Sequence, residues 1–217
     1  MALPPELALA TKNLGKIQEI LAICSEWPVK WLTADGVDWP DIEETGDTYR
    51  DNALLKAHGV ARVLGVTAVA DDSGIEVDAL GGGPGVRSAR FAGEHATDRE
   101  NLSLLLARVA DVEGERTARY RCVAACAWPD GRAVVAEAAC EGRITLQPRG
   151  DGGFGYDPAF VPDDLSDGRT MAELAPGEKD AISHRGRAAR LLLGWLAPDA
   201  TAGGAARAGL RRRGRAQ

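Results

Sequence analysis

Two alternating segments, Thr117 to Trp128 and Arg132 to Glu141, are joined by Pro129-Asp130-Gly131. A proline and a glycine around an aspartate mark a turn, so the pair reads as a long β-hairpin. A hairpin makes its strands antiparallel, and a sheet that contains one is not purely parallel. Upstream, short apolar runs alternate with segments of helical period. Leu7 to Ala10 reads as a buried strand. Leu14 to Cys24 reads as a helix with Leu14, Ile17, Ile20, Leu21 and Cys24 on one face. Val29 to Thr33, Val66 to Ala70 and Ile75 to Asp78 read as short extended pieces. Asp47 to Leu64, Asp98 to Val109 and Ala181 to Leu196 read as helices. Asn13, Asp47 or Thr48, and Thr97 or Asp98 stand where N-caps belong. The order predicts a three-layer α/β fold with a mixed sheet.

The 217 residues suffice for one large or two-lobed domain. Residues 1–196 are expected to form it, and the Ala-, Gly- and Arg-rich segment 197–217 to be a disordered tail. That segment holds five arginines and one aspartate. With an overall charge of −6, residues 1–196 therefore carry −10. An acidic body argues against a general nucleic-acid binder, although it can hold a polyphosphate through a metal and a few placed lysines. No apolar run is long enough to span a membrane, and no secretory signal opens the chain, so the expected location is the cytoplasm. Cys24, Cys122, Cys126 and Cys140 form no C-x-x-C pair and are expected to be reduced core thiols.

Three glycine-containing polar segments follow apolar runs, as ligand loops do in α/β proteins. In Thr11-Lys12-Asn13-Leu14-Gly15-Lys16, free amides and the positive end of a helix dipole favour phosphate. On this segment alone an ordinary capped helix with solvated lysines is the favoured reading, and no Walker A loop is present. The second is Glu43-Glu44-Thr45-Gly46 paired with Asp71-Asp72-Ser73-Gly74. Strand-end carboxylates suit magnesium, a hard cation. Alternation along an extended chain means that one carboxylate of each pair faces a cleft while its neighbour turns away. The third, Gly150 to Pro158, contains G-x-G-x-x-G, but Pro158 follows and no helix opens there, so a dinucleotide site is excluded. Phe154, between glycines, either stacks on a flat ligand or packs into the core. Lys179, His184 and Arg185 at the last helix offer hydrogen-bond donors.

Together these segments resemble the inosine/xanthosine triphosphate pyrophosphatases of the RdgB type. The resemblance rests on Ala10-Thr11-Lys12-Asn13 with Lys16 and Glu19; on Glu43 to Gly46 with Asn52-Ala53 and Lys56-Ala57; on Ala70 to Leu80 through Pro84-Gly85-Val86 and Ser88-Ala89-Arg90; on Gly152 to Pro158 with Phe160; and on Ala172-Glu173-Leu174 through Lys179 to Ser183-His184-Arg185. It covers roughly residues 7–196. A-D-D-S-G-I-E-V-D-A-L and G-G-F-G-Y-D-P are its most specific runs. Tyr49 and Asp51 stand where phenylalanine and glutamate are usual.

The resemblance implies an elongated mixed sheet flanked by helices, two lobes with a long central cleft, and a homodimer. The implied reaction is NTP + H2O → NMP + pyrophosphate with Mg2+, on ITP, dITP or XTP. Thr11, Lys12, Asn13, Leu14, Gly15 and Lys16 would hold the triphosphate. Glu43 and Asp72 would hold the metal, and Asp72 would be the general base. Lys16 and Lys56 would stabilise phosphate charge, and Ser73 would touch substrate. Phe154 would stack on the base, with Gly155, Tyr156 and Asp157 completing that wall. Lys179, His184 and Arg185 would select a 6-oxo acceptor over the 6-amino donor of adenine. The intact set Lys16, Glu43, Lys56 and Asp72 argues against a non-hydrolysing nucleotide-binding regulator. The motif Ser183-His184-Arg185 argues against a pyrimidine-directed relative, and the acidic body against an RNA-binding reading of the tail.

Overall fold

A computed structural model of the chain describes residues 3–196; the expected tail lies outside the described residues. Six strands form one sheet: β1 (Glu6–Leu9), β2 (Lys30–Leu32), β3 (Ala68–Val77), β4 (Thr117–Ala127), β5 (Ala133–Ile144) and β6 (Phe160–Pro162). Their spatial order is β2-β1-β3-β4-β5-β6. β1 pairs parallel with β2 and β3, and every later pairing is antiparallel. The mixed sheet expected from the hairpin is present. The three-residue β6 was too short to be read from the sequence.

The helices are α1 (Leu14–Ile23), α2 (Tyr49–Leu64), α3 (Asp98–Val109), α4 (Pro176–Ile182) and α5 (His184–Leu196). Three of the expected caps form. Asn13 accepts from the Lys16 amide, Thr48 from the Asp51 amide, and Thr97 from the Glu100 amide in a capping box. β2 lies on one side of β1 and β3 on the other. Right-handed crossovers in opposite directions put α1 and α2 on opposite sheet faces. The strand order reverses beside β1, and such a switch point opens a crevice at the strand ends.

Side-chain parity along β3 and β4 sorts the core. Leu7, Leu9, Val69, Cys122, Ala124 and Cys126 face α1 and α5, whereas Ala8, Ala68, Ala70, Val123 and Ala125 face α2. A third cluster caps the far ends of β3 to β5, with Ile75, Val77, Tyr120 and Phe160 packed against α3 and Met171. It lies on the face that α1 and α5 cover at the other end, so two lobes meet over the middle of β3. All four cysteines are buried and unpaired, and burial pushes each thiol up to about 12. No described helix is long and apolar enough to cross a membrane.

Three expectations need correction. Asp71-Asp72-Ser73-Gly74 is no loop: it lies inside one continuous strand. Ten residue pairs with β4, from Ala68 to Val77, carry the strand through the polar residues, because partners across the sheet satisfy the backbone. The closing helix is two helices, broken at Ser183, whose backbone is extended (φ −62°, ψ 150°). Leu14 does not join the core face of α1. It is 72% exposed at the helix start.

The break sets α4 tightly against α5. A Cβ at Gly186 would overlap the Asp180 carbonyl oxygen, a backbone atom that cannot swing away. Gly186→Ala is expected to cost about 3 kcal/mol, the upper part of the overpacking range, measured as a fall in urea-unfolding free energy. An unchanged midpoint would show that the corner can open.

Candidate active site

β1 ends at Leu9, and β3 pairs with it only at Ala68 and Val69. Beyond that point no strand of comparable length pairs with this edge of β3 among the described residues; residues 83–88 touch it instead, through the Gly83 carbonyl on the Val77 amide, Ser88 Oγ on the Ile75 amide and a bridge from Glu76 to Pro84. A cleft follows the opened edge. One end is bounded by Ile75, Tyr120, Phe154, Lys179, His184 and Arg185, the other by Thr11, Lys12, Glu44, Lys56, Asp72 and Arg90. Asn13, Lys16, Ser73 and Ala89 line both ends and make them one site. Asp72 and Ser73 point to opposite faces, yet both border the cleft because it wraps round the strand edge.

At the first end the charges are buried and balanced. Asp71 Oδ2 accepts from Arg185 Nε at 3.2 Å and lies 3.1 Å from Lys16 Nζ. Burial pushes the Asp71 carboxyl up, but Lys16, Arg185 and Lys56 overcome this and hold it well below the usual carboxylate range. Glu19, on α1, gives one carboxylate oxygen to Lys179 and the other to Arg185. Lys179 Nζ also donates to Asp157 Oδ2 at 2.6 Å. The same oxygen takes the Phe154 amide at 2.9 Å, and Asp157 Oδ1 takes the Tyr120 hydroxyl at 3.1 Å. Burial works against the Lys179 ammonium, but Asp157 and Glu19 keep its pKa above the ordinary lysine value. Three cations, Lys16, Lys179 and Arg185, thus face three carboxylates, Glu19, Asp71 and Asp157.

These bonds leave the donors oriented rather than spent. Arg185 carries five N–H groups and uses three, the third on Ser73 Oγ at 3.0 Å. Lys179 carries three and uses two. His184 is buried and stacked on Tyr120, with ring centroids 4.6 Å apart and 9° between planes. Burial, then Arg185 and Lys179, push its pKa well below the usual histidine value, so the ring is neutral. A neutral ring carries one N–H and one acceptor nitrogen, so either nitrogen can donate but not both. Its Nδ1 is buried without a partner.

The Phe154 ring is half-buried, with Lys179 Nζ 5.2 Å and Arg185 Cζ 5.5 Å from its centroid. A Cβ on Gly15 would stand 3.1 Å from Phe154 Cδ1, so the absent side chain lets α1 and the aromatic loop touch. Tyr156 and Asp157 line the cleft but are also held in the protein, Tyr156 by its hydroxyl donating to the Ser88 carbonyl at 2.7 Å.

At the second end, Lys56 Nζ lies 2.7 Å from Glu44 Oε1 and 3.5 Å from Asp72 Oδ1. Asn52 Nδ2 donates to Asp72 Oδ2 at 3.3 Å, and Asn52 Oδ1 accepts from the Gly46 amide at 2.8 Å. Burial raises the Asp72 pKa, and Lys56 and Lys16 only partly offset it. Thr11, Lys12 and Asn13 line this end. The Leu14 and Gly15 amides take no partner within the described residues. Of the two glutamates the structure brings Glu44, not Glu43, toward Asp72; Glu43 is exposed, as alternation along the extended segment requires. Among the described residues no three metal-ligating side chains cluster. Two carboxylates beside a phosphate-sized space fit magnesium, which takes few protein oxygens and completes its shell with phosphates and water.

Glu19 and Asn52 belong to the matched runs, but neither was given a role from sequence. Asn52 carried a signal, a polar side chain within the small, apolar inward face of α2; Glu19 lies off the apolar stripe of α1 and carried none.

The Ham1 family model matches residues 7–195. A "dITP/XTP pyrophosphatase" of Streptomyces avermitilis is 50% identical over 194 residues, covering 86% of this chain and 94% of that protein. One of Mycobacterium tuberculosis is 47% identical over 206 residues, covering 93% and 100%. Among solved structures, a HAM1 protein from Coxiella burnetii superposes with a TM-score of 0.80 at 39% identity, covering 91% of this chain and all of that one. A nucleoside-triphosphatase / dITP/XTP pyrophosphatase from Mycobacterium abscessus gives 0.69 at 44% identity, covering 87% and 98%.

Removing one partner from the balanced cluster strands buried cations. Glu19→Ala is expected to lower unfolding free energy by about 3 kcal/mol, with Glu19→Gln losing less, read by urea denaturation. A loss below about 1 kcal/mol for Glu19→Ala, the value of an exposed pair, would mean that water replaces the carboxylate.

Proposed function

From the premise that this chain belongs to the Ham1 family, we propose that it hydrolyses purine nucleoside triphosphates bearing a 6-oxo base, ITP, dITP and XTP, to the monophosphate and pyrophosphate. The observation that carries this reading is the single cleft with fixed donors at one end and Lys16, Lys56 and Asp72 at the other. The relatives named as dITP/XTP pyrophosphatases support it.

The purine lies against Phe154, and the spare N–H groups of Arg185 and Lys179 meet its 6-oxo group. Adenine would put a 6-amino donor against those donors and leave both sides unpaired, which costs about 1–3 kcal/mol per buried group. The triphosphate runs past the α1 N-terminus, where the Leu14 and Gly15 amides and the Lys16 and Lys12 ammonium groups offset its charge. Asp72 takes the proton of the attacking water, and the bond that breaks joins the α- and β-phosphates. A raised pKa makes Asp72 a stronger base than an exposed aspartate. Asn52 and Lys56 fix its two oxygens. Lys56, kept cationic by Asp72, Asp71 and Glu44 against the opposing effect of burial, faces the phosphates. Magnesium would be held by Asp72 and Glu44, and when bound it neutralises phosphate charge and polarises the phosphoryl oxygens. A homodimer, on the family resemblance, and the cytoplasmic location expected from the sequence complete the reading.

The test is product analysis with ITP, XTP, GTP and ATP, with and without magnesium. Metal-dependent release of pyrophosphate with IMP or XMP supports the reading; orthophosphate with IDP points to an ordinary phosphatase. Asp72→Asn is expected to lower turnover at least about 100-fold while ITP still binds, checked by calorimetry. An active Asp72→Asn enzyme would remove Asp72 as the base.

A further inference from the structure

Phe154 sits on a segment that its own sequence leaves loose: Gly152, Gly153 and Gly155 surround it, and Gly153 and Gly155 take φ of 68° and 62°. Hydrogen bonds must therefore fix the ring. Four are donated by residues 152–156. The Gly152 amide donates to the Ala172 carbonyl, the Phe154 amide to Asp157, and the Tyr156 hydroxyl to the Ser88 carbonyl. The fourth crosses the mouth of the cleft: the Gly155 amide donates to Asp98 Oδ2 at 2.9 Å, between residues 57 apart in sequence. Asp98 is the first residue of α3, lines the same cavity as Phe154, and has a position fixed by the Thr97–Glu100 capping box. It is the only bond of the four that ties the peptide immediately after Phe154 to a side chain of α3.

We propose that Asp98 is a positioning residue for the purine-binding wall: by accepting the Gly155 amide it holds Phe154 against Lys179 and Arg185, in the place where a base stacks. The inference rests on the reading of the cleft as a purine nucleotide site, but not on the chemistry at Asp72. Asp98 touches neither the phosphates' lysines nor Asp72. Its loss acts on substrates through their base.

The test compares the full chain with Asp98→Ala and Asp98→Asn. A hydrogen bond to a charged acceptor is worth about 1.5–3 kcal/mol, or roughly 10- to 100-fold at 1.4 kcal/mol per tenfold. Part of it survives through water, so KM for ITP should rise about tenfold in Asp98→Ala, with kcat changed less than about twofold. Asp98→Asn keeps an acceptor oxygen and should recover most of the loss. Inhibition by inorganic triphosphate, which has no base, should be equal in all three proteins. Hydrogen exchange at residues 152–156 should be faster in Asp98→Ala and restored in Asp98→Asn, with no substrate present. Absence of ITP turnover by the unaltered chain would overturn the proposed function, and the exchange result would still decide this inference. Unchanged exchange, or an equal loss of inorganic-triphosphate binding, would overturn it.

Discussion

The cleft depends on one oxygen of Asp71. Its Oδ2 holds Lys16 of α1 and Arg185 of α5, and so joins the start of the phosphate loop to the start of the last helix across the central strand. The carboxylate is fully enclosed, and charges in such a place persist only when compensated. Glu19 and Asp157 supply that compensation for the cations that remain. The arrangement fixes where each donor points before any ligand arrives, and preorganised donors make a base-selective pocket effective. The same oxygen links the two ends of the cleft: Lys16, which lines both, and Arg185, which lines one, share an acceptor.

Much of the framework was legible because it follows from local rules. The hairpin, the capped starts of α1, α2 and α3, and the apolar runs of β1 and β3 all carry their own signals. One misreading came where tertiary partners overrode local polarity. Asp71 to Gly74 looks like a turn in isolation, and only pairing with β4 turns it into strand. The break at Ser183 had a local signal that was missed: its extended backbone and its hydroxyl, which accepts the Gly186 amide, make it the N-cap of α5; that Gly186 must leave room for the Asp180 carbonyl is visible only in three dimensions.

The site was legible as a set of residue types and less so as an arrangement. Asp72, Lys16, Lys56 and Phe154 line one cleft. The choice between Glu43 and Glu44 could not be made from spacing, because parity in an irregular segment depends on where it bends. Alternation held for both pairs: Asp72 and Glu44 line the cleft, whereas Asp71 and Glu43 do not. Ser73 lines it as well, because β3 runs past its parallel neighbour and the ligand space wraps round the strand.

Gly15 and Phe154 come from opposite ends of the chain and touch. A side chain at position 15 would crowd the ring at 3.1 Å and the Asn13 oxygen at 3.3 Å. The two positions are thus epistatic. A side chain at 15 needs the ring at 154 to give by a few tenths of an ångström, so a smaller residue at 154, arriving first, opens that room. The reverse order passes through an intermediate in which the start of α1 and the aromatic ring compete for the same volume.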